Sequence, residues 1–346
     1  MKEAFSFHYL GSQDFQRLCQ ESDFYPWQLK SSEQIAQIPY FFVTALKYHQ
    51  VQSVPDEEIV LTLRSSGTSG QTSAITLDRT SLRRIKRIVR HIYDDLDMVN
   101  HVRTNYLCFT YDPEVAQDVG TAFSDKLLTG LTKVNHVCYA IVWDEERGDW
   151  HLDVPRVAKT LERFEKSKRP FRILGFPAHT WSVLSEIVKA RGKNFRFGPN
   201  SAVITGGGWK NFDDQEIDKA VFREQVGRWL GIPASNVRDL YGMVEHGVPY
   251  CECEHAQMHI PSYSRVYVRD PLTLEVLPQG QAGLLQFVTP YHHSFPAISL
   301  LTTDRGLIQP HCRCGRATPT LKLLGRAGVQ KHKGCAIAAL KIGLGK

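Results

Sequence analysis

The sequence predicts an α/β protein in which mostly parallel sheets are flanked by helices, together with a smaller β-rich subdomain. Between about residues 59 and 240, short β-branched or aromatic runs alternate with longer stretches of helical period, a pattern typical of strand–helix–strand crossovers. Beyond about residue 262 the apolar runs become short and are separated by turns such as Pro278-Gln279-Gly280. A length of 346 residues allows two or three packed units.

The individual elements follow from these patterns in chain order. In the α/β region the predicted strands are Ile59–Arg64, Asn105–Thr110, Phe171–Gly175, Ala202–Thr205 and Val237–Tyr241. The predicted helices are Thr80–Leu96, Pro155–Ser167, His179–Ala190 and Asp213–Leu230. The predicted strands of the β-rich part are Arg265–Arg269, Leu284–Thr289, Ile298–Thr302 and Thr320–Leu324. We therefore divide the chain into an α/β region at 1–261, a β-rich subdomain at 262–324 and a short hinge and tail at 325–346.

Composition excludes several classes of protein. Lys and Arg total 42 against 36 Asp and Glu, and the net charge of +6 suits an anionic small substrate or an acidic partner but is too weak to indicate nucleic-acid binding. No uncharged apolar stretch approaches the roughly 18 residues of a membrane helix, and Met1–Gln13 lacks the pattern of a signal peptide. We therefore expect a cytoplasmic protein without membrane insertion. Eight cysteines at low density indicate reduced thiols or a metal site rather than a disulfide scaffold.

The strongest local motif lies directly after the first predicted strand and before the first predicted helix. Its residues are Ser65, Ser66, Gly67, Thr68, Ser69, Gly70, Gln71, Thr72 and Ser73. The two glycines allow a sharp turn that brings backbone N–H groups against an anion, and the hydroxyl side chains can donate to phosphate oxygens. The stretch lacks the Gly-x-x-x-x-Gly-Lys-Ser/Thr pattern, so a kinase-like or GTPase-like site loses support. Taken alone, it leaves a polar surface loop open as the alternative.

Three further segments have residues that suit a nucleotide. Three glycines, Gly206–Gly208, follow the strand Ala202–Thr205 at a point where a flat ring or a ribose can approach the backbone closely. The segment Tyr241–Glu245 comes at the end of the next predicted strand. Asp304 lies at the end of a short strand and presents a carboxylate that can accept two ribose hydroxyls. Each of these segments is weak by itself.

The four segments occur in the same order as the nucleotide-binding motifs of adenylate-forming enzymes, which include the acyl-CoA and aryl-CoA synthetases. Within that superfamily the chain resembles the LuxE family, the long-chain acyl-protein synthetases of bacterial bioluminescence operons, from Arg64 to Cys335. The phenylacetate-CoA ligase group is the next most similar. The resemblance implies the large α/β domain of these enzymes, with the carboxy-terminal lid domain absent or vestigial.

The resemblance also implies roles for the matched residues. Contacts to the phosphates of ATP would come from Ser65, Ser66, Gly67, Thr68, Ser69 and Gly70. The adenine pocket would be lined by Gly206, Gly207 and Gly208, with Tyr241 and Gly242 flanking the adenine and the substrate carboxylate. Glu245 would help to hold Mg²⁺, and Asp304 would bind the ribose hydroxyls. Arg326, in a hinge-like segment, would contact the nucleotide.

The chain departs from the superfamily pattern in its positive charges. A Gln-Thr pair, Gln71 and Thr72, stands where a lysine commonly follows the second glycine of the loop. Most of the superfamily also supplies a catalytic lysine from the lid, whereas the lysines that follow Cys335 in this sequence are Lys341 and Lys346. Stabilisation of the phosphate charge would then need another cation. The candidates are Arg326, Lys331 and Lys333.

Cys335 has the surroundings of a reactive thiol. Lys331, His332 and Lys333 precede it, and nearby cations favour the thiolate at neutral pH. In the acyl-protein synthetases, a cysteine near the carboxy terminus takes the acyl group from the adenylate as a thioester and delivers it to an acyl reductase, and Cys335 matches that position. An acyl carrier protein is the other partner we consider. An inert tail cysteine is the alternative for Cys335.

The remaining paired cysteines suggest a metal. Two Cys-x-Cys pairs, Cys251/Cys253 and Cys312/Cys314, lie near several histidines and offer enough soft ligands for a closed tetrahedral Zn²⁺ site. We rank Cys253, His259, Cys312 and Cys314 first, with Cys251 and His255 as substitutes. Four protein ligands leave no open position, so the ion would be structural. Uncoordinated thiols are the alternative.

Three hypotheses on function follow. In the first, the protein adenylates a carboxylic acid with ATP and Mg²⁺ and loads the acyl group on Cys335. In the second, an acyl-CoA or aryl-CoA ligase releases the product as a coenzyme A thioester. In the third, which the missing loop lysine and lid keep open, the protein binds a nucleotide or carrier without turnover.

Overall fold

The computed structural model describes residues 1–64, 73–112, 120–146, 148–209 and 216–327. The helices are α1 (Lys2–Gly11), α2 (Gln13–Glu21), α3 (Arg79–Asp95), α4 (Gly120–Thr129), α5 (Val154–Ser167), α6 (Pro177–Arg191) and α7 (Lys219–Leu230). Short 3₁₀ turns lie at Pro26–Gln28, Glu33–Gln37, Ala45–Lys47, Asp56–Glu58 and Ala234–Asn236. Across these described segments, no helix combines the length and apolar character that a bilayer crossing requires.

Fifteen strands are named here in chain order. The first nine are β1 (Phe41–Phe42), β2 (Ile59–Arg64), β3 (Ala74–Asp78), β4 (Arg103–Tyr111), β5 (Lys133–Asp144), β6 (Asp149–Leu152), β7 (Phe171–Gly175), β8 (Ala202–Gly206) and β9 (Val237–Tyr241). The others are β10 (Tyr250–Cys251), β11 (Met258–His259), β12 (Arg265–Arg269), β13 (Gly283–Val288), β14 (Ser299–Gln309) and β15 (Thr320–Arg326).

The chain divides into two compact units. Within the described residues, the first unit consists of 1–92, 243–250 and 257–327, and the second of 93–242 and 251–256. The predicted boundaries after residues 261 and 324 stay predictions.

The second unit is built on a seven-stranded sheet of order β10-β9-β8-β7-β4-β5-β6. The pairs from β9 to β5 are parallel, and β6 turns back antiparallel to β5. Helix α5 contributes Val157, Leu161 and Phe164 to the core, a spacing that puts all three on one helix face. Burial of this apolar stripe against strand residues such as Ile173 and Val203 makes the predicted crossover helices stable on the sheet.

The first unit contains a six-stranded sheet in which β11, β15, β14, β13 and β12 follow one another in antiparallel pairs. Strand β1 adds to β14 in parallel. Phe5 and Phe15, from α1 and α2, join Val288 and Ile298 in one buried apolar cluster. The hairpin β2–β3 pairs separately in this unit. The predicted β-rich subdomain therefore corresponds to the greater part of this sheet.

Most predicted elements are confirmed, and one predicted start is wrong. The helix predicted from Asp213 begins at Lys219, because the Asp218 carboxylate accepts hydrogen bonds from the backbone N–H groups of Ala220 and Val221 and so caps it. The strand predicted at Ile298–Thr302 continues to Gln309, with an irregularity in its pairing between Asp304 and Gly306. That extension carries a candidate functional carboxylate into a strand position.

Candidate functional site

The first unit brings two motifs together that are 172 residues apart in the chain. Ser73, the last residue of the predicted phosphate loop, donates its hydroxyl hydrogen bond to Oε1 of Glu245. Ser73 lies just before β3, and Glu245 lies in a turn in which the N–H of His246 donates to the carbonyl of Met243. Both side chains are buried, Glu245 at 5% exposure. The loop end and the predicted Mg²⁺ ligand therefore belong to one local arrangement.

The charge of Glu245 is set by opposing influences. Burial raises the pKa of Glu245, while the Ser73 hydrogen bond lowers it, and the positive charges of Lys47 and Arg326 lower it further. A divalent cation at this carboxylate would also favour the ionised form. The Glu245 carboxylate and the Ser73 hydroxyl are both oxygen donors, which a hard ion such as Mg²⁺ prefers.

Asp304 and Arg326 form the second part of this arrangement. They are register partners on β14 and β15, and Arg326 Nε donates to Asp304 Oδ1 at 3.0 Å. The side chain of Asp304 is 16% exposed and that of Arg326 is 65% exposed. The backbone N–H of Asp304 donates to the Thr302 hydroxyl at 3.1 Å, and this hydrogen bond fixes the backbone that carries the carboxylate. A carboxylate has about four acceptor positions on its two oxygens, so Asp304 can accept hydrogen bonds from a ligand in addition to the one from the guanidinium.

Lys47 is a functional candidate that the sequence analysis missed. The parallel pairing of β1 places Phe42 beside Leu301, and the N–H of Val43 donates to the Leu301 carbonyl at 2.9 Å. Lys47 follows in the next turn, and Asp304 is three residues past Leu301. This pairing explains why the charge of Lys47 reaches Glu245. No local motif marks Lys47, so only the strand pairing identifies it.

The predicted adenine-pocket residues of the second unit lie at the carboxyl ends of two neighbouring strands. Strands β8 and β9 are parallel neighbours, with Gly206 paired to Leu240, so the segments Gly206–Gly208 and Tyr241–Gly242 leave the sheet side by side. A Cβ at Gly206 would lie 2.7 Å from the Leu240 carbonyl oxygen, which explains why this position is glycine. Ligands of parallel α/β sheets bind at the carboxyl ends of strands.

Several predicted residues lie outside the described residues. They are Ser65, Ser66, Gly67, Thr68, Ser69, Gly70, Lys331, Lys333 and Cys335. The assigned roles of these residues in phosphate binding, charge stabilisation and acyl transfer stay predictions.

The predicted metal ligands come together. One ligand atom each from Cys253, His259, Cys312 and Cys314 lies within 4.8 Å of all the others. Cys314 Sγ is 3.1 Å from His259 Nε2. The two substitutes, Cys251 and His255, are not part of this group.

Comparison with solved structures identifies the fold. A structure of 2-hydroxyisobutyryl-CoA ligase in complex with 2-HIB-AMP and CoA matches 94% of this chain and 68% of that chain, with a TM-score of 0.72 and 17% identity. A second structure of the same ligase, in the thioesterification state, matches with a TM-score of 0.73 and 18% identity. The fold is that of the adenylate-forming enzymes.

Sequence comparison then identifies the family. The profile described as "Acyl-protein synthetase, LuxE" matches residues 1–341, so the chain belongs to the LuxE acyl-protein synthetase family. A long-chain-fatty-acid–luciferin-component ligase of Aliivibrio fischeri is 25% identical over 360 residues, covering 99% of this chain and 87% of that protein. The protein of the same name from Vibrio harveyi is 24% identical, covering 98% and 85%. A phenylacetate-coenzyme A ligase of Thermus thermophilus is 24% identical over 322 residues, covering 90% and 65%.

Proposed function

We propose that this protein uses ATP and Mg²⁺ to activate a long-chain fatty acid as an acyl adenylate and then transfers the acyl group to Cys335. In the first step a carboxylate oxygen bonds to the α-phosphorus of ATP, and the bond to pyrophosphate breaks. In the second step the Cys335 thiolate bonds to the acyl carbon, and AMP leaves with the electrons of the carbon–oxygen bond. The names of the two luciferin-component ligases support the fatty acid substrate.

The observation that carries the first step is the convergence of Ser73 with Glu245 and of Asp304 with Arg326 in one unit. Glu245 would hold Mg²⁺, which on binding would draw charge from the phosphates and ease departure of pyrophosphate. Asp304 would accept the ribose hydroxyls. The Arg326 guanidinium would keep the Asp304 carboxylate ionised and oriented, and with Lys47 it would stabilise negative charge on the nucleotide.

The remaining contacts follow the sequence predictions. The loop Ser65–Gly70 would bind the phosphates and Gly206–Gly208 would line the adenine pocket. Tyr241 and Gly242 would flank the adenine and the substrate carboxylate. Lys331 would add positive charge near Cys335. The thioester would be delivered to an acyl reductase or an acyl carrier protein, since a thioester on a protein thiol needs an acceptor to complete a cycle.

A second candidate function is release of the acyl group to coenzyme A. The similarity to the phenylacetate-coenzyme A ligase, which covers 90% of this chain, supports this second candidate. The two candidates share the adenylation step and differ only in the thiol that attacks the adenylate. A Cys335→Ser variant that still forms a coenzyme A thioester at the wild-type rate would select the second candidate.

Exchange of labelled pyrophosphate into ATP tests the shared step. We expect exchange that depends on both Mg²⁺ and tetradecanoic acid and that falls about 100-fold in Glu245→Gln. The matched control is Glu57→Gln, an exposed glutamate in a 3₁₀ turn, which should exchange like the wild type. Tight ATP binding without exchange for any of a panel of fatty and aryl acids would instead favour a binding protein without turnover.

A further inference from the structure

The cluster of Cys253, His259, Cys312 and Cys314 takes no part in the proposed reaction, yet its atoms are arranged like metal ligands. In a tetrahedral zinc site, bond lengths of about 2.3 Å to sulfur and about 2.0 Å to nitrogen put neighbouring ligand atoms about 3.6–3.8 Å apart. The four ligand atoms here already lie within 4.8 Å of one another. Small side-chain rotations are therefore enough to complete a tetrahedron around one ion.

The tautomer of His259 supports ligation. Its Nδ1 lies 3.1 Å from the Thr318 carbonyl oxygen and 3.2 Å from the Thr318 hydroxyl. A carbonyl oxygen only accepts hydrogen bonds, so Nδ1 carries the ring proton and Nε2 keeps its lone pair. That lone pair faces Cys314 Sγ at 3.1 Å. A histidine that binds metal through one nitrogen commonly donates from the other to a carbonyl, which is the arrangement found here.

We propose that Cys253, His259, Cys312 and Cys314 bind one structural Zn²⁺ ion that joins the edge strand β11 to the loop between β14 and β15. Three thiolates and one imidazole form a soft donor set that selects zinc over magnesium or calcium. All four coordination positions come from protein, so none is left for a substrate or a reactive water. This proposal goes beyond the proposed function, since neither step of that reaction uses the ion.

The local structure shows what the ion would stabilise. Strand β11 has only two residues, and it pairs with β15 through Met258–Leu321 and His259–Thr320. Cys312 and Cys314 lie in the ten-residue connection 310–319, in which Gly315 turns with φ +82°. A strand of two residues forms few hydrogen bonds, and a connection of ten residues loses much conformational entropy when it is ordered, so both contribute little stability by themselves. One ion bonded to both would hold the edge of the sheet together and order the tip of the β14–β15 hairpin.

Burial of the ligands suits a structural ion that is loaded from solvent. Cys253 is 1% exposed and His259 is 9% exposed, whereas Cys312 and Cys314 are partly exposed. The inner pair is therefore shielded from competing water, and the outer pair leaves a path for the ion. Ligand thiols must lose their protons on binding, so retention of the metal should weaken in acid.

Elemental analysis of the whole purified chain, prepared without chelators, tests the proposal. We expect about one zinc per chain in the wild type, and less than about one fifth of that in His259→Gln. The matched control is His255→Gln, an exposed histidine four residues away, which should keep the full zinc content. Equal zinc in His259→Gln and the wild type, or a wild type well below one zinc per chain, would overturn the proposal.

Cobalt substitution keeps the test decisive if a ligand variant fails to fold. Wild-type protein exchanged with Co²⁺ should show the visible bands of tetrahedral cobalt and a near-ultraviolet thiolate-to-metal band. A spectrum of octahedral cobalt without the thiolate band would contradict cysteine ligation. Both measurements report on metal and not on turnover, so their outcome is independent of whether the proposed reaction is correct.

Discussion

Replacement of His8 gives a measurable link between burial and stability in the first unit. The side chain is 1% exposed, its Nε2 donates to the His292 carbonyl at 3.2 Å, and its Nδ1 accepts from the Ser53 hydroxyl at 2.8 Å. Burial lowers the pKa of His8 from 6.5 to about 3, and His292, His293 and Arg84 lower it further, while the hydrogen bond to His292 raises it. The folded state therefore keeps His8 neutral.

Proton linkage sets the size and sign of the effect. Because the pKa of His8 is lower in the folded state, the unfolded chain binds more protons below pH 6.5. The stabilisation associated with neutral His8 is complete above pH 6.5 and is lost as the pH falls from 6.5 towards 3. At pH 5 the loss is about 2 kcal/mol, and at pH 7.5 it is below about 0.1 kcal/mol. A change of this size is large against a typical unfolding free energy of about 5–15 kcal/mol.

Urea unfolding of His8→Gln at several values between pH 5 and pH 7.5 checks this prediction. Glutamine keeps a donor and an acceptor but does not titrate, so the stability of wild type relative to variant should fall by about 2 kcal/mol across that range. His49→Gln, a change of an exposed histidine, is the control and should follow the wild type. A wild-type-minus-variant difference that stays constant with pH would refute the reasoning.

Three further outcomes are expected. Lys47→Met should lower the rate of adenylate formation about 100-fold with little change in the KM for ATP. The control, Lys30→Met, changes an exposed lysine and should leave the rate unaltered. A Lys47→Met rate equal to that of the wild type would show that Lys47 is not part of the site. Asp304→Asn should weaken ATP binding about 10-fold to 100-fold in calorimetric titration, because one charged acceptor for ribose is lost. Burial raises the pKa of Asp125 to about 7, and the hydrogen bond from the Thr110 hydroxyl only partly opposes this rise. The wild type therefore loses stability as the pH rises from 3.8 to 7. Above pH 7, Asp125→Asn should be more stable than the wild type by up to about 4 kcal/mol in urea unfolding, and a difference in stability that does not change with pH would contradict the assignment.

Local patterns predicted the parallel sheet and brought candidate site residues to attention. Apolar stripes such as Val157, Leu161 and Phe164 repeat with the helical period, and burial on a sheet requires that repeat. Donor chemistry alone selected Cys253, His259, Cys312 and Cys314, and the structure brings one potential ligand atom of each within 4.8 Å of the others. The order of the segments, together with the resemblance to adenylate-forming enzymes, related the predicted phosphate loop to Glu245, and Ser73 at the end of that loop contacts Glu245.

Long-range pairing was the part that sequence could not supply. Lys47 has no motif around it, and its position near Glu245 depends on the pairing of β1 with β14. Helix α1 was also not predicted, and its buried residues are Phe5 and the polar His8. The start of α7 was set by a single cap, Asp218, rather than by periodicity.

Loading of an acyl group on Cys335 is the step that distinguishes the proposed function from that of a coenzyme A ligase. The most direct measurement is the intact mass after incubation with ATP, Mg²⁺ and tetradecanoic acid, repeated with hydroxylamine and with Cys335→Ser. We predict a gain of one acyl group that hydroxylamine removes and that the variant never acquires, although the variant still exchanges pyrophosphate. Pyrophosphate exchange with no mass gain in the wild type, or an equal gain in the variant, would contradict Cys335 as the acceptor.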